Sequence, residues 1–187
     1  MVALRDGVAP EVILSLETVQ TTVLVVRNPD GSPPSGIGIL SVSDGVIGPF
    51  ISVSCSAGGR CELTELPAGH WTLLVMGAGV ALVEVDAPSD EVPIALRRPG
   101  EIALKVVADD VGVAWKVRLS DAATGIVLPV FGWMNAGRGE WAPVPASGLT
   151  LGLPEGPWRI EAVAPDGTQS IRQVAVPGGG EITVELE

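Results

Sequence analysis

Short apolar runs recur along the whole chain, many alternating with polar positions, and Gly, Pro, Asn or Asp closes most of them. Alternation with a period of two between turn residues predicts strands. The first set falls at Val19–Arg27, Gly36–Asp44, Pro49–Cys55, Arg60–Glu65, His70–Met76, Val80–Asp86 and Glu91–Arg97. The second falls at Glu101–Ala108, Val113–Asp121, Ile126–Trp133, a region between Glu140 and Gly152, Trp158–Val163, Thr168–Val176 and Glu181–Leu186. The turns include Asn28-Pro29-Asp30-Gly31, Pro165-Asp166-Gly167 and Pro177-Gly178-Gly179-Gly180, where Pro fixes φ and Gly supplies positive φ. No stretch of useful length shows helical periodicity free of Gly and Pro. Seven short strands per set at this spacing predict a sandwich.

The two sets echo each other. Leu66-Pro67-Ala68-Gly69-His70-Trp71 returns 87 residues later as Leu153-Pro154-Glu155-Gly156-Pro157-Trp158. Glu91-Val92-Pro93-Ile94-Ala95-Leu96 returns 90 residues later as Glu181-Ile182-Thr183-Val184-Glu185-Leu186. Two echoes in one order at nearly one offset indicate two copies of a module. A third relative of the closing strand stands at Glu11-Val12-Ile13-Leu14-Ser15-Leu16, with too little chain before it for the rest of a module. The expected organisation is an orphan strand in 1–17, a first sandwich in 18–98 and a second in 99–187.

Within the first copy, Val25-Val26-Arg27-Asn28-Pro29-Asp30-Gly31-Ser32-Pro33, the hairpin at Gly58-Gly59 and the Leu66–Trp71 motif resemble carboxypeptidase regulatory-like domains, also called prealbumin-like or transthyretin-like modules. The second copy keeps Leu153–Trp158 and lacks the Asn-Pro-Asp-Gly turn after its first strand. The resemblance implies an all-β chain of two tandem seven-stranded Greek-key sandwiches, Ig-like or transthyretin-like in build. It also favours an extracellular or cell-surface setting, and roles in folding support, adhesion and binding. Such a fold fixes no function by itself. In the motif, Leu66 is expected to end a strand in the core, Pro67 and Gly69 to turn the chain, and Trp71 and Trp158 to bury their rings.

Composition narrows the partners. Apolar residues make up 47% of 187, enough for a real core, while 24 Gly and 16 Pro supply the turns. Eleven basic residues against 22 acidic ones give a net charge of −11, and only Arg97-Arg98 among the basic residues are adjacent. Phosphate recognition needs clustered Lys and Arg, so nucleic acid and anionic membranes are poor partners. No apolar run reaches a membrane span. The start, Met1-Val2-Ala3-Leu4-Arg5-Asp6, lacks a basic segment followed by an apolar core, so it does not read as a signal peptide.

Candidates for chemistry are few. The chain has one His, no Tyr and two Cys. Nucleophilic catalysis through an imidazole would have to use His70, and its counterpart in the second copy is Pro157. A zinc site would need three or four ligands; only Cys55, Cys61 and His70 are soft donors. Asp109-Asp110 and Asn28–Gly31 match no calcium-loop spacing. No catalytic residue, metal or cofactor is expected, and the chain reads as a non-enzyme. A three-residue loop at 57–59 would set Cys55 opposite Cys61, with Cα atoms roughly 4.5–5.5 Å apart, inside the roughly 4.4–6.8 Å of a disulfide. A two-residue Gly-Gly turn would separate them and leave two thiols. Both registers stay open.

Binding has two candidate seats. Trp133 and Trp141 flank a segment with Arg138 and Glu140, where the second copy carries its extra residues; flat indoles beside Arg138 and Glu140 suit a sugar face or a protein. The other reading of these indoles is structural closure. The orphan strand, through Val12, Ile13, Leu14 and Leu16, needs an edge to pair with. That edge lies in its own chain, in a longer array, or in a neighbouring subunit by strand addition. The expected function is a non-catalytic structural or adhesive module in a larger surface assembly or filament, acting through contacts with itself or neighbouring subunits. The alternative is a carbohydrate- or protein-binding accessory module.

Overall fold

The computed structural model describes residues 21–44, 46–107, 115–128, 141–145 and 147–186, and every regular element among them is a β-strand. The first seven are β1 (Thr22–Arg27), β2 (Gly36–Ser43), β3 (Val46–Ser54), β4 (Arg60–Leu63), β5 (Gly69–Met76), β6 (Val80–Ala87) and β7 (Val92–Ala95). The next seven are β8 (Pro99–Val106), β9 (Trp115–Asp121), β10 (Ala142–Val144), β11 (Leu149–Pro154), β12 (Gly156–Val163), β13 (Gln169–Val176) and β14 (Glu181–Leu186).

The strands form four sheets. Their orders are β4-β1-β7 and β3-β2-β5-β6 in the first repeat, and β11-β8-β14 and β10-β9-β12-β13 in the second. Adding seven to each label of the first pair gives the second pair. In each repeat a three-stranded sheet faces a four-stranded one, and the closing strand runs parallel to the opening strand: β7 along β1 and β14 along β8. The other pairings are antiparallel. The molecule is therefore all-β, two tandem seven-stranded sandwiches.

Alternation explains the cores. Inward positions of the first repeat, such as Leu24, Ile39, Leu73 and Val75, are fully shielded, and so are Ile102, Leu119, Trp158 and Ile160 in the second. Where alternation fails, the strand is covered on both faces. Leu73-Leu74-Val75 and Ile39-Leu40-Ser41 are consecutive buried positions. Leu40, Leu74 and Leu82 turn away from the first repeat's core and join one buried cluster with the core of the second. The two sandwiches thus share a seam.

The region between Glu140 and Gly152, expected to supply one strand, supplies two in different sheets. β10 pairs with β9, and β11 pairs with β8. Pro145 and Gly148 cause the split. The Gly148 N–H donates to the Pro145 carbonyl at 2.8 Å, and Gly148 sits at φ +83°, a conformation that Gly adopts freely. The strand expected at Ile126–Trp133 contributes a single bridge, Ser120 to Val127, before its remainder leaves the described residues. β10 takes the edge place that β3 holds in the first repeat.

Candidate assembly surface

The repeated motif is a structural device. The Trp71 indole N–H donates to the Pro67 carbonyl at 2.8 Å, and Trp158 does the same to Pro154 at 2.9 Å. Gly69 and Gly156 hold φ of +144° and +128°, which turns the chain so that the indole four residues past the Pro reaches back. Trp158 is wholly buried, whereas Trp71 is half-buried. The buried N–H has its partner, so neither ring is left with an unmet polar group.

His70, between that Gly and Trp, lies exposed. Its Nδ1 is 2.8 Å from the Asp86 carboxylate, and Nε2 is 4.0 Å from Glu84. The hydrogen bond to Asp86 holds the imidazole pKa above its ordinary value, with Glu84 and Asp44 adding to the effect. Ser43 donates its hydroxyl to the His70 backbone carbonyl rather than to the ring. Among the described residues, no group of three potential metal ligands converges. No helix among them is long and apolar enough to cross a membrane.

Cys55 and Cys61 are joined as a disulfide, with Cα atoms 4.3 Å apart. Ser56 and Arg60 bond backbone to backbone inside them, leaving Ala57-Gly58-Gly59 as a three-residue loop. Gly59 belongs to that turn by necessity: φ is +77°, and a Cβ there would meet the Val26 carbonyl oxygen at 2.4 Å. The bridge ties edge strand β3 to edge strand β4 across the two sheets. The second repeat has no cysteine.

Four rows of side chains define the outer face of the first repeat's larger sheet. One crosses all four strands: Phe50, Leu40, Leu74 and Leu82 are successive register partners. The three leucines lie in the seam, while Phe50 is 53% exposed at the edge, and Val46, at the start of the same strand, is 63% exposed. Phe50 lays its ring over Gly38, where a Cβ would come within 2.6 Å of the ring. This leaves a shallow groove between Phe50 and Met76, floored by Gly36, Gly38 and Gly77. In the second repeat the matching row reads Arg118, Glu161 and Ile171. Continuing the β10 register by one residue sets Trp141 beside Arg118, in the place of Phe50. Arg118 and Arg159 both pair with Glu161, at 3.8 and 2.9 Å.

The seam is also fixed by charge. Arg97, in the link between β7 and β8, forms an ion pair with Asp121, whose side chain is 1% exposed. Asp121 accepts a second bond from the Ala123 N–H at 2.9 Å. Arg97 exchanges two backbone hydrogen bonds with Val80, and the Glu155 N–H donates to the Arg98 carbonyl. Sequence reasoning passed over these residues. The adjacency of Arg97 and Arg98 in a sparsely basic chain was the available signal.

Of the predicted binding residues, only Trp141 is described; it is 36% exposed at the start of β10. Trp133, Arg138 and Glu140 lie outside the described residues, as do Val12, Ile13, Leu14 and Leu16. Trp115, at the start of β9, is buried in the core.

No family model matches the chain, and no curated protein does. Solved structures resemble it at low identity. The Bacillus anthracis TIE protein is 16% identical over 91% of this chain and 34% of its own, with a TM-score of 0.38. The minor pilin GBS52 of Streptococcus agalactiae is 15% identical over 89% of this chain and 94% of its own, at 0.44. The chain thus spans about a third of the first and nearly all of the second. A group B streptococcus pilus 2b backbone protein is 13% identical over 90% and 86%, at 0.33. None of the three carries a function over to this chain.

Proposed function

We propose that this protein is a non-catalytic structural module, of the carboxypeptidase regulatory-like type, that serves as a segment or subunit of a larger surface assembly through protein–protein contacts. One observation carries the reading. The closing strands β7 and β14 each pair in parallel with the opening strand of their repeat, and each opening strand is already flanked on both sides. Residues 11–16 carry a third closing-strand sequence. Neither β1 nor β8 has a free side to receive it in the way β7 and β14 are received. A seat like theirs would be the opening strand of another module, in a longer array or in a neighbouring subunit.

The test is the solution mass of the intact chain by light scattering, beside a chain lacking residues 1–17. Oligomers or filaments that vanish on deletion support strand exchange between subunits. Monomers in both samples, at concentrations where such assemblies form, overturn that exchange. A second reading rests on Trp141, whose exposed indole suits a flat sugar or protein face. It expects a ligand-dependent fluorescence shift that Trp141→Ala abolishes while the fold survives.

A further inference from the structure

Each repeat takes up and gives out its chain at opposite ends of one parallel strand pair. In the first, the chain enters β1 at Thr22 and leaves β7 at Ala95, and the register runs from Leu24 against Val92 to Arg27 against Ala95. In the second, it enters β8 at Pro99 and leaves β14 at Leu186, with the register running from Glu101 against Glu181 to Val106 against Leu186. Tension on the chain ends therefore slides one strand of each pair along the other. All their hydrogen bonds are loaded together. A pair pulled apart from one end would instead lose them one at a time.

The peptide groups are arranged to match. The Glu101 N–H donates to the Gly180 carbonyl, and the Val107 N–H to that of Leu186, so bonds bracket the β8–β14 pair at both ends. In the first repeat the Leu96 N–H donates to the Arg27 carbonyl and the Val23 N–H to that of Ser89, bracketing β1 and β7 likewise. Peptide groups alternate in direction along a strand. Leu96 faces β1, so Ile94 and Val92 do as well, and Pro93 stands where an N–H would face the open edge. The proline therefore costs the pair no hydrogen bond and blunts the edge. Between the repeats, the Arg97 ion pair with Asp121 and its two bonds to Val80 hold the link against the body of the molecule.

We infer that the two parallel pairs are shear clamps, and that the protein's function includes bearing tension along its chain. This rests on the reading of the chain as a structural segment. The measurement is made on single chains, so it is independent of whether chains assemble.

The experiment pulls the full chain by optical tweezers in two directions. Handles on residues 1 and 187 load both clamps in shear. Handles on 187 and on the exposed position 107 open the β8–β14 pair from one end. The second repeat is expected to yield at a severalfold higher force in the first direction. Equal forces in the two directions overturn the clamp. Paired proline variants sharpen the result: Val184→Pro removes an amide facing β8 and should lower the shear force severalfold. Thr183→Pro, facing outward like Pro93, should leave it unchanged. If Val184→Pro fails to fold, the two pulling directions still decide. Equal losses in the two variants count against the clamp.

Discussion

The same row of the same sheet is built in opposite ways in the two repeats. Leu40, Leu74 and Leu82 occupy it in the first; Arg118, Glu161 and Ile171 occupy it in the second. The leucines are buried in the seam, while Arg118 and Glu161 are half-buried and Ile171 is 59% exposed. The backbone pairing is shared, so the difference lies in what each face meets. A face stacked on the next sandwich loses water and favours leucine. A face with solvent access keeps its charges hydrated and paired, as Arg118 and Glu161 are here. Topology is duplicated, while side chains make one face a buried seam and the other a charged, partly exposed surface.

The heaviest blow to this contrast is Leu74→Glu. It buries an unpartnered charge in the seam and should cost more than about 3 kcal/mol by urea unfolding. A cost near that of a surface change would mean that the seam does not hold the repeats together. Arg97→Ala comes next. It strips Asp121 of its charge partner, and the loss should fall below the roughly 3–5 kcal/mol of a fully buried pair, because water reaches the Arg97 end. The matching change in the second repeat, Glu161→Leu, should shift stability by no more than about 1 kcal/mol. Its effect should appear in chromatography, as self-association through the new apolar patch around Ile171. A loss as large as that of Leu74→Glu would erase the distinction between the faces.

The smallest effects are in pH. Further along the outer face, His70 and Asp86 in the first repeat match Pro157 and Ala175 in the second. The histidine pKa is raised above 6.5 in the folded state. Its contribution to stability is full below that value and fades as pH rises through the folded pKa. His70→Gln should flatten this slope, and a slope unchanged by the substitution would exclude the pair as its source. On the acid side, the Ser32 and Thr168 hydrogen bonds hold Asp30 and Asp166 below 3.8. Their contribution is present above that value and disappears as pH falls through the folded pKa. Asp30→Asn together with Asp166→Asn should reduce the acid loss of stability, measured by thermal melts from pH 5 to pH 2.

Much of this architecture was legible in the sequence. The Leu-Pro-x-Gly-x-Trp motif marked both repeats because one turn and one indole bond demand those residues. The Pro-Asp-Gly turns were legible for a similar reason. Asn28–Ser32 and Ala164–Thr168 close with the same backbone bonds, although they join different strands of their repeats. The β10–β11 split was hidden by Pro143, Pro145 and Gly148, which make a three-residue strand look like loop. The seam was half visible. Leu73-Leu74-Val75 signals burial on both faces, and nothing in that run names the covering surface. The place of Trp141 opposite Phe50 depends on register, which residue spacing alone did not supply. For Trp133, Arg138, Glu140 and the strand at 12–16, sequence remains the source of the assignment.

Phe50 over Gly38 has a consequence for how this protein can change. A side chain at 38 has no room while the ring lies there, and a smaller residue at 50 would bare the glycine backbone. The fitness of a substitution at either position therefore depends on the residue at the other. A side chain at 38 would have to displace the exposed Phe50 ring, so a substitution there costs least where residue 50 is small or free to swing outward. Between related chains, these two sites should vary as a unit, although they lie on different strands and 12 residues apart.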